Sequence, residues 1–133
     1  MIVPCVGNAY YTHDLNCNFS VHANALQSGA VAWTYKTPGL AYKAASGDDK
    51  IFAVGSGAEK SGVSDFRVVA LDQKTGSVIW NSKYVPAGSL GGVALNVAVQ
   101  GNVVVAVGDV FTGASQKSYT LVRAYDADTG KVV

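Results

Sequence analysis

Short apolar runs along this chain alternate with turns rich in glycine and small polar residues, which predicts many short β-strands. The run at residues 103–107, Val-Val-Val-Ala-Val, is apolar at every position, and so is Ile-Phe-Ala-Val at residues 51–54. A strand covered on one face only would alternate apolar and polar residues, so continuous apolarity predicts a packed layer on each side. The pattern therefore favours an all-β protein built from stacked sheets.

One turn sequence organises the middle of the chain. Residues 70–80 read Ala-Leu-Asp-Gln-Lys-Thr-Gly-Ser-Val-Ile-Trp, which ends one apolar run and starts the next. Asp72 can hydrogen-bond the backbone two residues further on, and Gly76 supplies the positive φ that a short hairpin loop needs. We interpret Ala70, Asp72, Thr75, Gly76 and Trp80 as one structural turn motif.

The same motif occurs twice more, before and after this copy. The first copy has alanine in place of aspartate and serine in place of threonine, and the third stops one residue before the expected tryptophan. The motif glycines are 47 and 54 residues apart (76 − 29 and 130 − 76). A mostly stranded repeat of about 50 residues is typical of a β-propeller blade. The matching positions are Ala23, Ala25, Ser28, Gly29 and Trp33 in the first copy, and Ala124, Asp126, Thr129 and Gly130 in the third.

Alignment on these glycines divides the chain into units at about 1–37, 38–85 and 86–133. Each complete unit is predicted to be a four-stranded antiparallel sheet, and the first unit has no room for its first strand. Trp33 and Trp80 are expected on outer strands, each packing into the turn of the neighbouring blade. The predicted strands lie near 2–6, 18–25 and 30–35; near 40–45, 50–56, 66–71 and 77–82; and near 93–99, 102–108, 119–125 and 131–133.

Two and a half to three blades cannot close a ring, since propellers need about four to eight. The sequence therefore predicts an open arc that either belongs to a longer protein or is completed by oligomerisation. An open arc would leave apolar blade faces exposed, and such patches mark interaction sites. The partner predicted on this ground is another protein or a second copy of the chain.

Composition excludes some classes of partner. Net charge is +1 and charged residues make up 14% of the chain, so no basic surface for nucleic acid is expected. No run of 18 apolar residues is present that would predict a membrane-spanning helix. Two cysteines, Cys5 and Cys17, leave the redox compartment open. Cys5 aligns with an apolar strand position and is expected to be a buried thiol, whereas a Cys5–Cys17 disulfide requires a shifted strand register.

No set of residues in the sequence predicts catalysis or a metal site. His13 and Asp14 are expected at an exposed hairpin tip, and His22 in the middle of a strand, where a hydrogen-bonded interior histidine explains it without a metal. The glycine-rich stretch at residues 88–92 precedes a strand, whereas a phosphate-binding loop precedes a helix. The predicted catalytic and metal-binding residues are therefore none.

The repeated turn resembles the tryptophan-docking motif of the quinoprotein alcohol dehydrogenase-like propellers, whose units are called PQQ-like repeats. The middle copy matches throughout, and the first departs at Ala25 and Ser28. The resemblance implies a non-catalytic binding or scaffold module in an extracytoplasmic compartment, with no cofactor. The alternative it leaves open is a fragment of an alcohol dehydrogenase that uses pyrroloquinoline quinone (PQQ) and calcium. The catalytic members carry adjacent cysteines, which this sequence lacks.

Overall fold

The chain is all-β, and its strands form propeller-type blades in an open arc. The computed structural model describes residues 18–58, 63–113 and 117–133. Within these residues there are eight strands and no helix. The strands are β1 Asn18–Asn24, β2 Val31–Gly47, β3 Lys50–Ala58, β4 Ser64–Asp72, β5 Val78–Tyr84, β6 Ser89–Gln100, β7 Val103–Thr112 and β8 Lys117–Asp126. The prediction of an all-β fold with antiparallel blades in an open arc is confirmed, and the middle blade has the predicted four strands.

Three blades can be distinguished by their strand pairing. The first blade contains β1 and residues 31–38 of β2, which pair antiparallel. The middle blade contains residues 39–47 of β2 followed by β3, β4 and β5, each antiparallel to the next. The third blade contains β6, β7 and β8. One parallel pair, Ser64 with Gly91, joins β4 to β6 at the end of the two sheets.

The structure differs from the sequence prediction at the junction of the first two blades. Residues 30–35 and 40–45 were expected to be separate strands, but both lie in the 17-residue strand β2. Gly39 has φ 135° at the point where β2 leaves β1 and begins to pair with β3. A glycine can adopt this conformation without a steric penalty, so the strand turns there without a loop. The predicted strand at 2–6 lies outside the described residues.

Strands β2 and β6 each carry a bulge that the apolar pattern of the sequence did not reveal. Register shifts occur between Ala41 and Lys43 in β2 and between Ala94 and Asn96 in β6. In each bulge the extra residue, Tyr42 or Leu95, is about 41% exposed. An extra residue bends the strand and increases its twist.

The core consists of two apolar layers, one on each side of the middle blade. Because successive side chains of β4 point to opposite faces, Phe66 and Val68 pack toward the third blade, and Val69 and Leu71 pack toward the first. Burial of both faces explains why β4 is apolar from Val68 to Leu71. The layer shared with the third blade includes Phe52, Val54, Val97, Val104 and Tyr125, and the layer shared with the first includes Phe19, Val21 and Ala53.

Candidate functional site: the tryptophan docks and the open blade face

The turn of the middle blade is held by the carboxylate of Asp72. Its Oδ1 accepts hydrogen bonds from the backbone N–H of Lys74 at 2.9 Å, and from the N–H and hydroxyl of Thr75 at 2.8 and 2.9 Å. The Gly76 N–H donates to the Asp72 carbonyl at 2.8 Å, and Gly76 has φ 73°. Aspartate, threonine and glycine at these spacings therefore fix one turn conformation.

Trp33 of the first blade lies on this turn. Its indole Nε1–H donates to the Gln73 carbonyl at 2.9 Å. A Cβ placed on Gly76 would lie 2.5 Å from Cε3 of the indole, so only glycine leaves room for the ring. Ala23 pairs with Trp33 across β1 and β2, as Ala70 pairs with Trp80 across β4 and β5. We call this arrangement of turn, carbonyl and indole a dock.

A second dock joins the middle and third blades. Asp126 accepts hydrogen bonds from the Thr129 N–H at 2.8 Å and hydroxyl at 2.7 Å, and the Trp80 indole donates to the Ala127 carbonyl at 2.9 Å. A Cβ on Gly130 would lie 2.7 Å from the Trp80 ring. The Trp80 ring stacks on Tyr125, with ring centroids 5.8 Å apart and planes 25° apart. After this turn the chain runs back along β8, where the Val133 N–H donates to the Ala124 carbonyl at 3.1 Å.

The turn of the first blade has the same backbone hydrogen bonds as the other two turns. Among the described residues, however, no indole lies on it. The Ala25 N–H donates to the Ala30 carbonyl and the Gly29 N–H to the Ala25 carbonyl, both at 2.8 Å. Gly29 has φ 68°, and a Cβ built there would meet nothing within 4 Å. Ser28 Oγ accepts from the Ala30 N–H at 3.3 Å. Replacement of the aspartate by Ala25 has thus not changed the turn.

The two dock carboxylates should make stability depend on acidic pH. Hydrogen bonds from the Thr75 N–H and hydroxyl hold the pKa of Asp72 below its ordinary value of 3.8. The Thr129 hydroxyl and N–H do the same for the pKa of Asp126. A carboxylate whose pKa is lower in the folded state adds stability above its unfolded pKa. That stability is lost as the pH falls below about 3.8 and through the folded pKa.

We therefore expect the free energy of unfolding, measured by urea titration, to fall with decreasing pH below about 4. The double variant Asp72→Asn/Asp126→Asn should flatten this acid dependence, because the amide oxygens still accept hydrogen bonds but do not titrate. Thr75→Val should reduce the slope in part, because it removes one donor to Asp72. An unchanged slope in the double variant would show that other groups control acid unfolding.

A buried ion pair at the junction of the first two blades was missed by the sequence analysis. Asp65 and Arg67 lie two residues apart on one face of β4, with side chains 1% and 3% exposed. The Arg67 guanidinium donates to both Asp65 oxygens, from Nε to Oδ1 at 2.9 Å and from Nη2 to Oδ2. It also donates from Nη1 to the Pro38 carbonyl at 3.1 Å, and the Gly57 N–H donates to Asp65 Oδ1 at 3.0 Å. The pair therefore ties β3 and β4 to the strand where the first blade becomes the middle blade.

The far faces of the first and third blades differ in polarity. On the third blade, Val105 pairs with Ala98 and Ala124, and Val107 pairs with Val122, so these side chains share one face. Val103, Val105 and Val122 on this face are 39%, 36% and 61% exposed. On the first blade, the face turned away from the middle blade carries polar residues instead. These are Asn18, His22, Thr34 and Lys36, together with Ser20, which is buried.

The remaining candidate residues do not assemble into a reactive site in the described part of the chain. His22 Nδ1 lies 2.9 Å from the Thr34 hydroxyl, a hydrogen bond between neighbouring strands. Among residues 18–58, 63–113 and 117–133 no three His, Cys, Asp or Glu side chains are grouped to hold a metal ion. The same residues include no helix of the length and apolarity that crossing a bilayer requires. Cys5 and Cys17, for which a buried thiol and a disulfide were both considered, lie outside the described residues, as do His13 and Asp14.

Comparison with known proteins finds similarity to solved structures. No family model matches the sequence, and no curated protein matches it. The crystal structure of BamB from Moraxella catarrhalis is similar, with a TM-score of 0.48 and 19% sequence identity. The aligned region covers 85% of this chain and 44% of that one, so the chain spans less than half of that structure's length.

Proposed function

We propose that this chain is a non-catalytic β-propeller module that binds protein, and that it self-associates through the far face of the third blade. The observation that carries the proposal is the apolar surface formed by Val103, Val105, Val107 and Val122. We call this surface the open face. Exposed apolar patches on a soluble domain mark sites of interaction.

Elsewhere in the chain, sheet faces of this kind are covered. The corresponding face of the middle blade, with Phe66, Val68 and Ala70, is fully buried against the third blade. The first blade covers its apolar side, with Phe19 and Val21, against the middle blade. The open face repeats this pattern of β-branched side chains without a cover in the described residues. A second β-sheet is the partner that this surface fits best.

The chemistry of the two ends of the stack favours face-to-face pairing of two copies. The centre of the open face carries no charge, and its acidic residues Asp109 and Asp126 lie toward opposite ends of the strands. Head-to-tail stacking would instead bury the Lys36 ammonium and the His22 ring of a neighbouring first blade against valines. Burial of a charge without a partner costs far more than burial of an apolar side chain gains. The same surface on both copies gives a closed dimer related by a two-fold axis.

The size of the open face predicts a weak dimer. Three strands about 4.8 Å apart and about seven residues long cover about 300–400 Å² on each copy. Stable pairs bury about 800 Å² on each partner. We therefore expect a dissociation constant on the order of 100 μM, so that self-association depends on concentration.

Val122→Asp tests the proposal because Val122 is 61% exposed on β8, the outer strand of the open face. Sedimentation equilibrium from low micromolar to submillimolar protein should show a rising average mass for the wild type. The variant should stay monomeric, because burying a carboxylate against valines in the dimer costs its hydration. Its melting temperature should be unchanged, because the side chain is exposed in the monomer. Val31→Asp is the matched control, since Val31 is 59% exposed on the first blade, remote from the open face.

The control variant should associate like the wild type. A wild-type protein that remains monomeric at every concentration would refute self-association. Equal association of the Val122→Asp and Val31→Asp variants would place the contact elsewhere. Binding of another protein that Val122→Asp abolishes, with no dimer in the wild type, would support the binding module and reject the second copy as its partner.

A further inference from the structure

We propose that the turn of the first blade is a third dock, open to solvent, that binds a tryptophan side chain carried on a β-strand of a partner protein. We call it the open dock, and it consists of Ala25, Leu26, Ser28 and Gly29. It lies on the first blade, whereas the open face lies on the third. The inference does not depend on self-association.

The first reason is that the open dock has the same backbone conformation as the occupied docks. Its two turn hydrogen bonds, from Ala25 to Ala30 and from Gly29 to Ala25, are both 2.8 Å long. The middle blade has the same pair, from Asp72 to Ser77 and from Gly76 to Asp72, also at 2.8 Å. The φ values of the three dock glycines are 68°, 73° and 69°. The site therefore needs no rearrangement before binding.

The second reason is that the position of the ligand is unoccupied in the described part of the chain. In the two other docks the glycine is covered by an indole within 3 Å of where its Cβ would lie, whereas Gly29 meets nothing within 4 Å. Leu26 corresponds to Gln73 and Ala127, the residues whose carbonyls accept the indole N–H. Its side chain is fully exposed, at 104% of its reference area. A leucine exposed to this extent at the edge of the site provides an apolar contact for an aromatic ring.

The third reason concerns the identity of the occupant. The sequence contains two tryptophans, and both are already docked within the chain. Residues 1–133 of a second copy could fill the open dock only by withdrawing an indole from one of their own docks. A tryptophan from a different protein has no such cost. The occupied docks show that this residue arrives on an extended strand, as Trp80 does on β5.

One substitution makes the open dock weaker than the others. Asn24 takes the place of Leu71 and Tyr125, which lie under the indoles of the occupied docks. Its Nδ2 donates to the Gly29 carbonyl at 2.9 Å, so it holds the turn but offers a polar surface to the ring. We therefore expect reversible binding at micromolar or higher concentrations, suited to a transient partner.

A peptide based on the chain's own docked strand tests the proposal. The probe is residues 77–84, Ser-Val-Ile-Trp-Asn-Ser-Lys-Tyr, with a fluorescent label, titrated with the whole protein and followed by anisotropy. The peptide should bind, and the same peptide with alanine for tryptophan should bind at least about tenfold more weakly, because it lacks both the ring and the N–H donor. Amide NMR shifts on binding should be largest at Leu26 and Gly29.

Two glycine variants locate the binding site. Gly29→Val should weaken binding at least about tenfold, because the new side chain fills the position of the indole. Gly88→Val is the matched control, because Gly88 also has positive φ (73°) and open space around it but belongs to no dock. Both variants carry similar backbone strain, so a loss of binding confined to Gly29→Val cannot come from destabilisation.

Several results would overturn the inference. These are equal affinity for the tryptophan and alanine peptides, equal binding by the Gly29→Val and Gly88→Val variants, or NMR shifts centred on Ala127 and Gly130, which would indicate exchange with Trp80. Val122→Asp separates this inference from the proposed function, because it should abolish self-association and leave peptide binding intact. Loss of peptide binding in Val122→Asp would place the peptide on the open face and reject the open dock.

Discussion

Replacing Trp80 by alanine should lower the free energy of unfolding by about 3 kcal/mol or more, since large-to-small changes of a packed tryptophan cost about 3–5 kcal/mol. Trp80 stacks on Tyr125 of the third blade and contacts Phe52 of its own blade, with ring centroids 5.8 and 5.9 Å away. It also donates its indole N–H to the Ala127 carbonyl. Its loss would open a cavity between two blades. Urea unfolding followed by circular dichroism measures the change.

Trp80→Phe separates the two parts of this contribution. Phenylalanine keeps much of the aromatic packing and removes the hydrogen bond to Ala127, so it should cost about 1 kcal/mol from the bond, plus a smaller packing loss. Leu26→Ala serves as the control, because Leu26 is fully exposed, and a surface change should stay within about 0.5 kcal/mol. A loss below about 1 kcal/mol for Trp80→Ala would show that the docks do not hold the blades together.

The second large effect is expected at the buried ion pair. Arg67→Met removes the guanidinium and leaves the Asp65 carboxylate, 1% exposed, without its cationic partner. Breaking a buried pair by removing one partner costs about 3–5 kcal/mol, because an uncompensated charge remains in a medium of low dielectric constant. The free energy of unfolding of Arg67→Met should therefore fall by about that amount in urea titration.

The double variant Asp65→Leu/Arg67→Met distinguishes a buried charge from lost packing. Replacing both partners by apolar residues removes the charge, so the double variant should be more stable than Arg67→Met alone. Recovery should be incomplete, because the Gly57 N–H and the Pro38 carbonyl lose the partners they have in the wild type. A double variant as unstable as the sum of the two single variants would mean that Asp65 and Arg67 act independently.

These two effects concern different joints: Trp80 joins the middle blade to the third, and the ion pair lies where the first blade meets the middle blade. The docks connect the outer strand of each blade to the turn of the next, as Trp33 does at Gln73. The ion pair connects β3 and β4 to Pro38, where β2 passes from the first blade to the middle blade. Lys50 adds an ion pair at 2.8 Å to Asp128 in the turn of the third blade. Because the Asp128 side chain is 62% exposed, solvent screens that pair and its contribution to stability should be small.

Sequence periodicity predicted the blades because blade formation depends on local chemistry. The turn motif at Asp72 and Asp126 is built from hydrogen bonds that span two to three residues, so its spacing in the sequence is its spacing in space. Runs such as residues 103–107 and 51–54 indicated the all-β fold, although in the structure only alternate side chains of 103–107 are buried. The odd-numbered valines there form the open face. Nothing in the local pattern distinguishes a covered valine from an exposed one.

The sequence by itself determined the repeat, the all-β class and the turns on which the blades depend. Only the tertiary structure decided that β2 serves two blades, that Asp65 and Arg67 are buried together, and that the stack has one polar and one apolar end. The physical reason is that turns and strands follow from neighbours along the chain. Burial, in contrast, depends on which sheet lies opposite, and that is set by contacts such as Arg67 with Pro38, 29 residues apart.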